Sequence, residues 1–123
     1  MRPQLTVAIV EDDPSMLGAI QGLLEAHGYA TLLFTSAEDF LKRDITKHVD
    51  RLLLDIALAG MSGIELSRRL KSAGSQLPVI FMTALDDNDI YREAMRAGGV
   101  ACLYKPFESH DLIEVIENSA PQH

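Results

Sequence analysis

Val7-Ala8-Ile9-Val10-Glu11-Asp12-Asp13-Pro14 carries most of the argument for the fold. Four apolar residues stand in a row, then three acids, then a proline. A strand with one wet face alternates apolar and polar residues. An unbroken apolar run means that both faces are covered, as in a parallel sheet with helices on each side. The same texture returns at Val79-Ile80-Phe81-Met82. Counting outward, apolar runs begin at Leu5, Ala30, Leu52, Val79 and Ala101, spaced 22 to 27 residues apart. That interval suits one strand plus one crossover helix.

Between the runs the period becomes helical. Met16, Ile20, Leu23 and Leu24 fit one helix face, with Gly28 as its stop. Ser36 is placed to cap a second helix that turns Phe40 and Leu41 inward. Ile64, Leu66 and Leu70 mark a third, between Ser62 and Gly74. Asp86-Asp87-Asn88-Asp89 opens a fourth, which Gly98-Gly99 ends. Leu112, Ile113 and Ile116 mark a fifth. The pattern predicts an α/β fold, (βα)5, as a doubly wound open parallel sheet. Right-handed crossovers leave few topologies, and the flavodoxin-like strand order 2-1-3-4-5 is the common five-strand solution.

Composition sets further bounds. The 123 residues suit one domain over 1–123, with its core at 5–118. Against 11 Lys and Arg stand 18 Asp and Glu, a net charge of −7. An acidic chain without a basic cluster is poorly suited to bind nucleic acid directly. No apolar run approaches membrane-spanning length, and Met1-Arg2-Pro3-Gln4 leads into a strand with no leader pattern. A single cysteine, Cys102, excludes a disulfide framework. The expectation is a cytoplasmic domain with no membrane contact.

Ligands of such sheets bind beyond the carboxyl ends of the strands. There the sequence places Glu11, Asp12 and Asp13, then Asp55, then Thr83, then Lys105 followed by Pro106. Each has a plainer alternative. Asp12 and Asp13 could be a solvated loop or a helix cap ahead of Pro14. Thr83 could be a strand-end hydroxyl, and Lys105 a surface lysine. Asp55 is harder to dismiss, because it sits between Leu52-Leu53-Leu54 and Ile56, where a lone carboxylate is costly to bury. Together the four strand ends carry complementary chemistry. Crowded carboxylates call for a cation, and an all-oxygen site with open positions suits Mg2+. A metal, a lysine and a hydroxyl hold the oxygens of a phosphoryl group, and a carboxylate is the nucleophile. Asp55, alone on the central strand, is the best nucleophile; Asp12 and Asp13 are the better metal holders. Glu11, Asp12, Asp13 and Asp55 against Lys105 concentrate −3 of the net charge at this rim.

These residues resemble the receiver domain of bacterial two-component response regulators, the CheY-like family. Glu11-Asp12-Asp13 is similar to its acidic pair, and Leu53-Leu54-Asp55-Ile56-Ala57-Leu58-Ala59-Gly60-Met61-Ser62-Gly63 to its phosphoacceptor segment. Met82-Thr83-Ala84 resembles its hydroxyl motif and Lys105-Pro106-Phe107 its lysine motif. The segment from Gly28 to Leu41 looks most like receivers joined to LuxR-type helix-turn-helix domains. The resemblance implies that Asp55 accepts a phosphoryl group from a histidine kinase or histidine phosphotransfer protein. It implies Mg2+ held by Asp12 or Asp13, Asp55 and the backbone carbonyl of Ala57, with Thr83 and Lys105 on phosphoryl oxygens. It also implies a cis bond between Lys105 and Pro106. The switched surface would be helix four, strand five and helix five, which commonly binds a partner or a second receiver.

Three departures stand out. Ala59 replaces the usual proline, which implies a looser loop. Cys102 occupies the usual position of a switch aromatic; as a core-strand cysteine it reads as a small hydrophobe. Ala57 and Leu85 flank the site with apolar groups, so self-dephosphorylation is expected to be slow. The histidines at 27, 48, 110 and 123 show no ligand spacing, and Arg68, Arg69 and Lys71 read as a solvated helix face. Three other functions compete with this reading. A haloacid-dehalogenase-type phosphatase uses similar groups, but its nucleophile follows the first strand. A flavin carrier of this topology would meet repulsion at Glu11-Asp12-Asp13. A receiver that signals without phosphorylation would not need all these residues.

Overall fold

The computed structural model describes residues 4–119. Strands β1 (Thr6–Val10), β2 (Ala30–Phe34), β3 (Arg51–Asp55), β4 (Val79–Thr83) and β5 (Gly99–Tyr104) alternate with five helices. These are α1 (Pro14–Ala26), α2 (Ala37–Lys42), α3 (Gly63–Ser72), α4 (Asn88–Arg96) and α5 (Ser109–Asn118). A 3-10 turn over Thr46–His48 precedes β3. The strands form one parallel sheet in the order β2-β1-β3-β4-β5, as the pattern predicts.

Unbroken apolar strands sort their side chains between two faces by simple alternation. Val7, Ile9, Leu53, Ile80 and Met82 pack with Leu17, Ile20 and Leu24 of α1 and Leu112 and Ile116 of α5. Ala8, Val10, Leu52, Leu54, Val79 and Phe81 pack with Phe40 of α2, Leu66 and Leu70 of α3, and Ala94 of α4. β1, β3 and β4 are therefore buried on both sides. Leu17, outside the helix face read from sequence, turns inward with Ile20 and Leu24.

Most helices start where side-chain oxygens meet their free N–H groups. The side chains of Asp13, Ser36, Ser62 and Asp87 accept from the first turns of α1, α2, α3 and α4. Gly98 turns the chain after α4 with φ +109°. Gly99 does not end the helix but begins β5, earlier than the apolar run suggests. It packs close to the Phe81 side chain, where an added Cβ would come 2.7 Å from the ring. The β4–β5 register is Val79↔Gly99 but Ile80↔Ala101, so Val100 bulges out of the ladder. Val100 and Ala101 accordingly turn to the same face.

β3 also starts earlier than expected, at Arg51, which is only 9% exposed. Its Nε donates to Ile116 O at 3.0 Å and its Nη1 to Asp50 O at 2.8 Å. Among the described residues no buried side-chain nitrogen or oxygen lacks a partner. Among them, too, no helix is long and apolar enough to cross a membrane.

Candidate functional site

The sheet register assembles the site. Val10 pairs with Leu54, so one step further Glu11 and Asp55 leave adjacent strands side by side. Alternation turns both toward the face of Ile9 and Leu53. Glu11 is 1% exposed and Asp55 4%. The Glu11 N–H still donates to Phe34 O at 3.0 Å, which extends the strand geometry by one residue. Across the rim, the Lys105 N–H donates to Thr83 O at 2.7 Å, fixing where the lysine leaves β5. The Lys105–Pro106 bond is cis, as the resemblance implies. Lys105 Nζ reaches Glu11 Oε1 at 2.6 Å and Asp55 Oδ2 at 3.3 Å.

Carboxylate oxygens of Glu11, Asp12 and Asp55 lie within 4.8 Å of one another. One lysine does not neutralise three carboxylates, and the imbalance registers on Asp55. Its pKa rises from 3.8 to about 6, first through burial and then through the hydrogen bond and charge of Glu11. Lys105 and the Ala57 N–H, which donates to Asp55 Oδ1 at 3.3 Å, pull the other way. For Lys105, burial opposes the charge. The hydrogen bond to Glu11 and the attraction of Asp55 and Glu11 outweigh it, so its pKa rises.

Asp55, Lys105 and Asp12 thus meet where the sequence placed them. Thr83 sits on the same rim, 1% exposed, and its hydroxyl oxygen accepts the Leu85 N–H at 3.0 Å. Asp13 does not join the carboxylate group. Its Oδ1 accepts from Ser15 N at 2.9 Å and Met16 N at 3.5 Å, capping α1 immediately ahead of Pro14. Glu11, left outside the expected metal set, stands in its place. Ala59 also alters its surroundings: its N–H, which a proline lacks, donates to Asp12 Oδ2 at 3.2 Å. The loop after β3 therefore gains a tie where a looser one was expected.

Other sequence features fall away from this rim. Cys102 is half-buried on β5, and burial pushes its thiol pKa up. Arg68 and Arg69 are solvated and pair with Glu93 and Glu65. Lys71 departs from that reading: it is partly buried and donates to Leu77 O at 3.3 Å. His27 lies at the end of α1 beside Leu23 O, and His110 is exposed between Glu108 and Asp111.

Comparison with known proteins places the chain in a family. The response regulator receiver domain family matches residues 7–117. The transcriptional regulatory protein FixJ of Bradyrhizobium diazoefficiens is 33% identical over 116 residues, covering 94% of this chain and 57% of FixJ. The transcriptional regulatory protein TdiR of Thauera aromatica is 32% identical over 90% of this chain and 49% of its own length. This chain thus spans about half the length of the curated relatives it matches. The crystal structure of FixJ-N superposes with a TM-score of 0.85 at 35% identity, covering 94% of this chain and 93% of that one. A CheY-like receiver domain protein from Methanospirillum hungatei JF-1 gives 0.85 at 26% identity over 94% and 92%. Fold, rim chemistry and these relatives lead to one assignment: the chain belongs to the response regulator receiver domain family.

Proposed function

We propose that Asp55 accepts a phosphoryl group from a histidine kinase or histidine phosphotransfer protein, with Mg2+ in the adjoining carboxylate group. One observation carries the reading: Asp55 is buried 3.3 Å from Lys105 Nζ, within a group of three carboxylates that a single lysine leaves over-charged. The donor set is all oxygen, which fits Mg2+. Glu11, Asp12, Asp55 and the backbone carbonyl of Ala57 would hold the ion. Asp13, capping α1, is left out of the set. When bound, Mg2+ supplies positive charge to phosphoryl oxygens and relieves the repulsion among the carboxylates.

The chain's own groups do the rest. A deprotonated Asp55 oxygen attacks phosphorus, and the phosphorus–nitrogen bond of the phosphohistidine breaks. The bonding pair stays on the imidazole nitrogen, leaving an aspartyl phosphate. Lys105 binds one phosphoryl oxygen. Thr83 donates its proton to another while its oxygen still accepts from Leu85. The product is a switch and not a turnover catalyst. Phosphorylation shifts the population of the face made by α4, β5 and α5. Tyr91 and Tyr104 are exposed there at 40% and 39%, and a partner or second receiver would dock on that face. The relatives named as transcriptional regulators suggest a cytoplasmic regulator whose nucleic-acid contacts belong to a part other than this chain.

Intact mass after incubation with acetyl phosphate and Mg2+ tests the reading. Wild type should gain one phosphoryl group and Asp55→Asn none. An unmodified wild-type chain overturns it.

A further inference from the structure

The loop between β3 and α3 is fastened at alternate backbone groups by carboxylates from two different elements. Asp12 accepts the Ala59 N–H at 3.2 Å, and Glu38 Oε2 accepts the Met61 N–H at 3.0 Å. Asp12 belongs to the carboxylate group beside Asp55. Glu38 lies in the first turn of α2, outside that group, and the proposed phosphoryl chemistry gives it no role. Its Oε2 also lies directly over Gly60, where an added Cβ would come within 2.5 Å. Gly60 has φ +76°, so the chain reverses beneath the carboxylate in a conformation that favours glycine. The Met61 N–H, then the backbone N–H of Glu38 itself and, more weakly, the attraction of Lys42 and Arg69, hold the Glu38 carboxyl below its ordinary pKa. The acceptor is therefore ionised at neutral pH.

Between Asp55 and Met61 lies Ala57, whose N–H is bonded to Asp55 Oδ1. This stretch is short, and its far end is held by Glu38. Groups that orient a metal's ligands are themselves held by hydrogen bonds, and losing such a support typically weakens binding about 10–100-fold. We infer that Glu38 is a positioning residue for the metal site: through the Met61 N–H it fixes the loop that presents the Ala57 carbonyl. The inference rests on the Mg2+ reading above and deepens it.

Calorimetric titration of the full chain with Mg2+, without any phosphoryl donor, tests the assignment. Glu38→Ala removes both the charge and the acceptor; Glu38→Gln removes the charge and keeps an acceptor oxygen. Glu38→Ala should raise the Mg2+ Kd about tenfold, the low end for such supports. Glu38→Gln should stay close to wild type, and thermal unfolding without metal should be nearly the same for all three. Unchanged Mg2+ affinity in Glu38→Ala overturns the assignment. So does Glu38→Gln binding as weakly as Glu38→Ala, since loss of net charge alone would then explain the effect. A wild-type chain that takes up no Mg2+ instead overturns the metal reading on which the assignment rests.

Discussion

Glu11 Oε1 and Lys105 Nζ meet at 2.6 Å across the rim of the sheet, with side chains only 1% and 17% exposed. The pair joins the end of the second-innermost strand to that of an edge strand, and Lys105 also serves Asp55. Removing the lysine leaves two buried carboxylates without a cation, the situation in which ion pairs matter most. Lys105→Ala should lose about 2–4 kcal/mol of stability near pH 8. The loss should be smaller near pH 5, where Asp55 carries a proton. Urea unfolding at both values checks this, and an equal loss at each would contradict it.

Asp55 itself should weaken the metal-free fold. The folded chain keeps its proton up to about pH 6, whereas an ordinary aspartate releases it near 3.8. Between those values the folded state binds more protons, so this group's contribution falls as pH rises through the window. Asp55→Asn should therefore be more stable than wild type at neutral pH, by on the order of 3 kcal/mol. The advantage should shrink toward pH 4. A pH-independent difference in unfolding free energy would refute the assignment of this shift to Asp55.

The same proton competes with the metal. Mg2+ uptake requires Asp55 ionised, so affinity should climb as pH rises to about 6 and level off above it. Calorimetry in buffers of different ionisation enthalpy should detect proton release near pH 5 and almost none near pH 8. Affinity that declines with pH over this range would be the wrong sign.

The phosphorylated chain should be long-lived. Ala57 and Leu85 border the site, exposed but apolar, and offer no group to orient an attacking water. Decay followed by intact mass in Mg2+ buffer should take many minutes, and Ala57→Asn should shorten it by supplying an amide. Decay of wild type within seconds would show that water needs no such help here.

Gly63 stands where α3 begins, and a Cβ there would strike the carbonyl oxygen of Asp55 itself. Gly63→Ala should destabilise the fold by about 1–3 kcal/mol, because the obstacle is backbone and does not rotate away. It should also impair phosphorylation more than an exposed substitution such as Ser72→Ala. Chemical denaturation and the acetyl phosphate assay together check both halves.

The sheet was legible because β1, β3 and β4 are covered on both faces, and that leaves a mark in composition. Asp55, Thr83 and Lys105 were legible because parallel strands deliver their ends to one rim. The partition of Glu11, Asp12 and Asp13 is less legible. All three are acidic, and only geometry separates them: Glu11 continues the strand, Asp12 turns, and Asp13 caps. A signal was present nonetheless. Pro14 suits the first position of a helix, which makes Asp13 its cap. Arg51 and the Glu38 tie to Met61 were not legible, since their partners lie 65 and 23 residues away. No local pattern announces a contact over such distances.

The bulge at Val100 bears on how this chain tolerates changes of length. Regular pairing resumes at Ala101 and runs to Tyr104 beside Thr83, one residue before Lys105. Val100 is thus surplus to the ladder, and its deletion would straighten β5 while leaving Lys105 opposite Asp55. Deleting Cys102, Leu103 or Tyr104 with the bulge retained would swing the lysine to the other face of the sheet. Neighbouring positions in one strand therefore differ sharply in what an evolving sequence is free to lose.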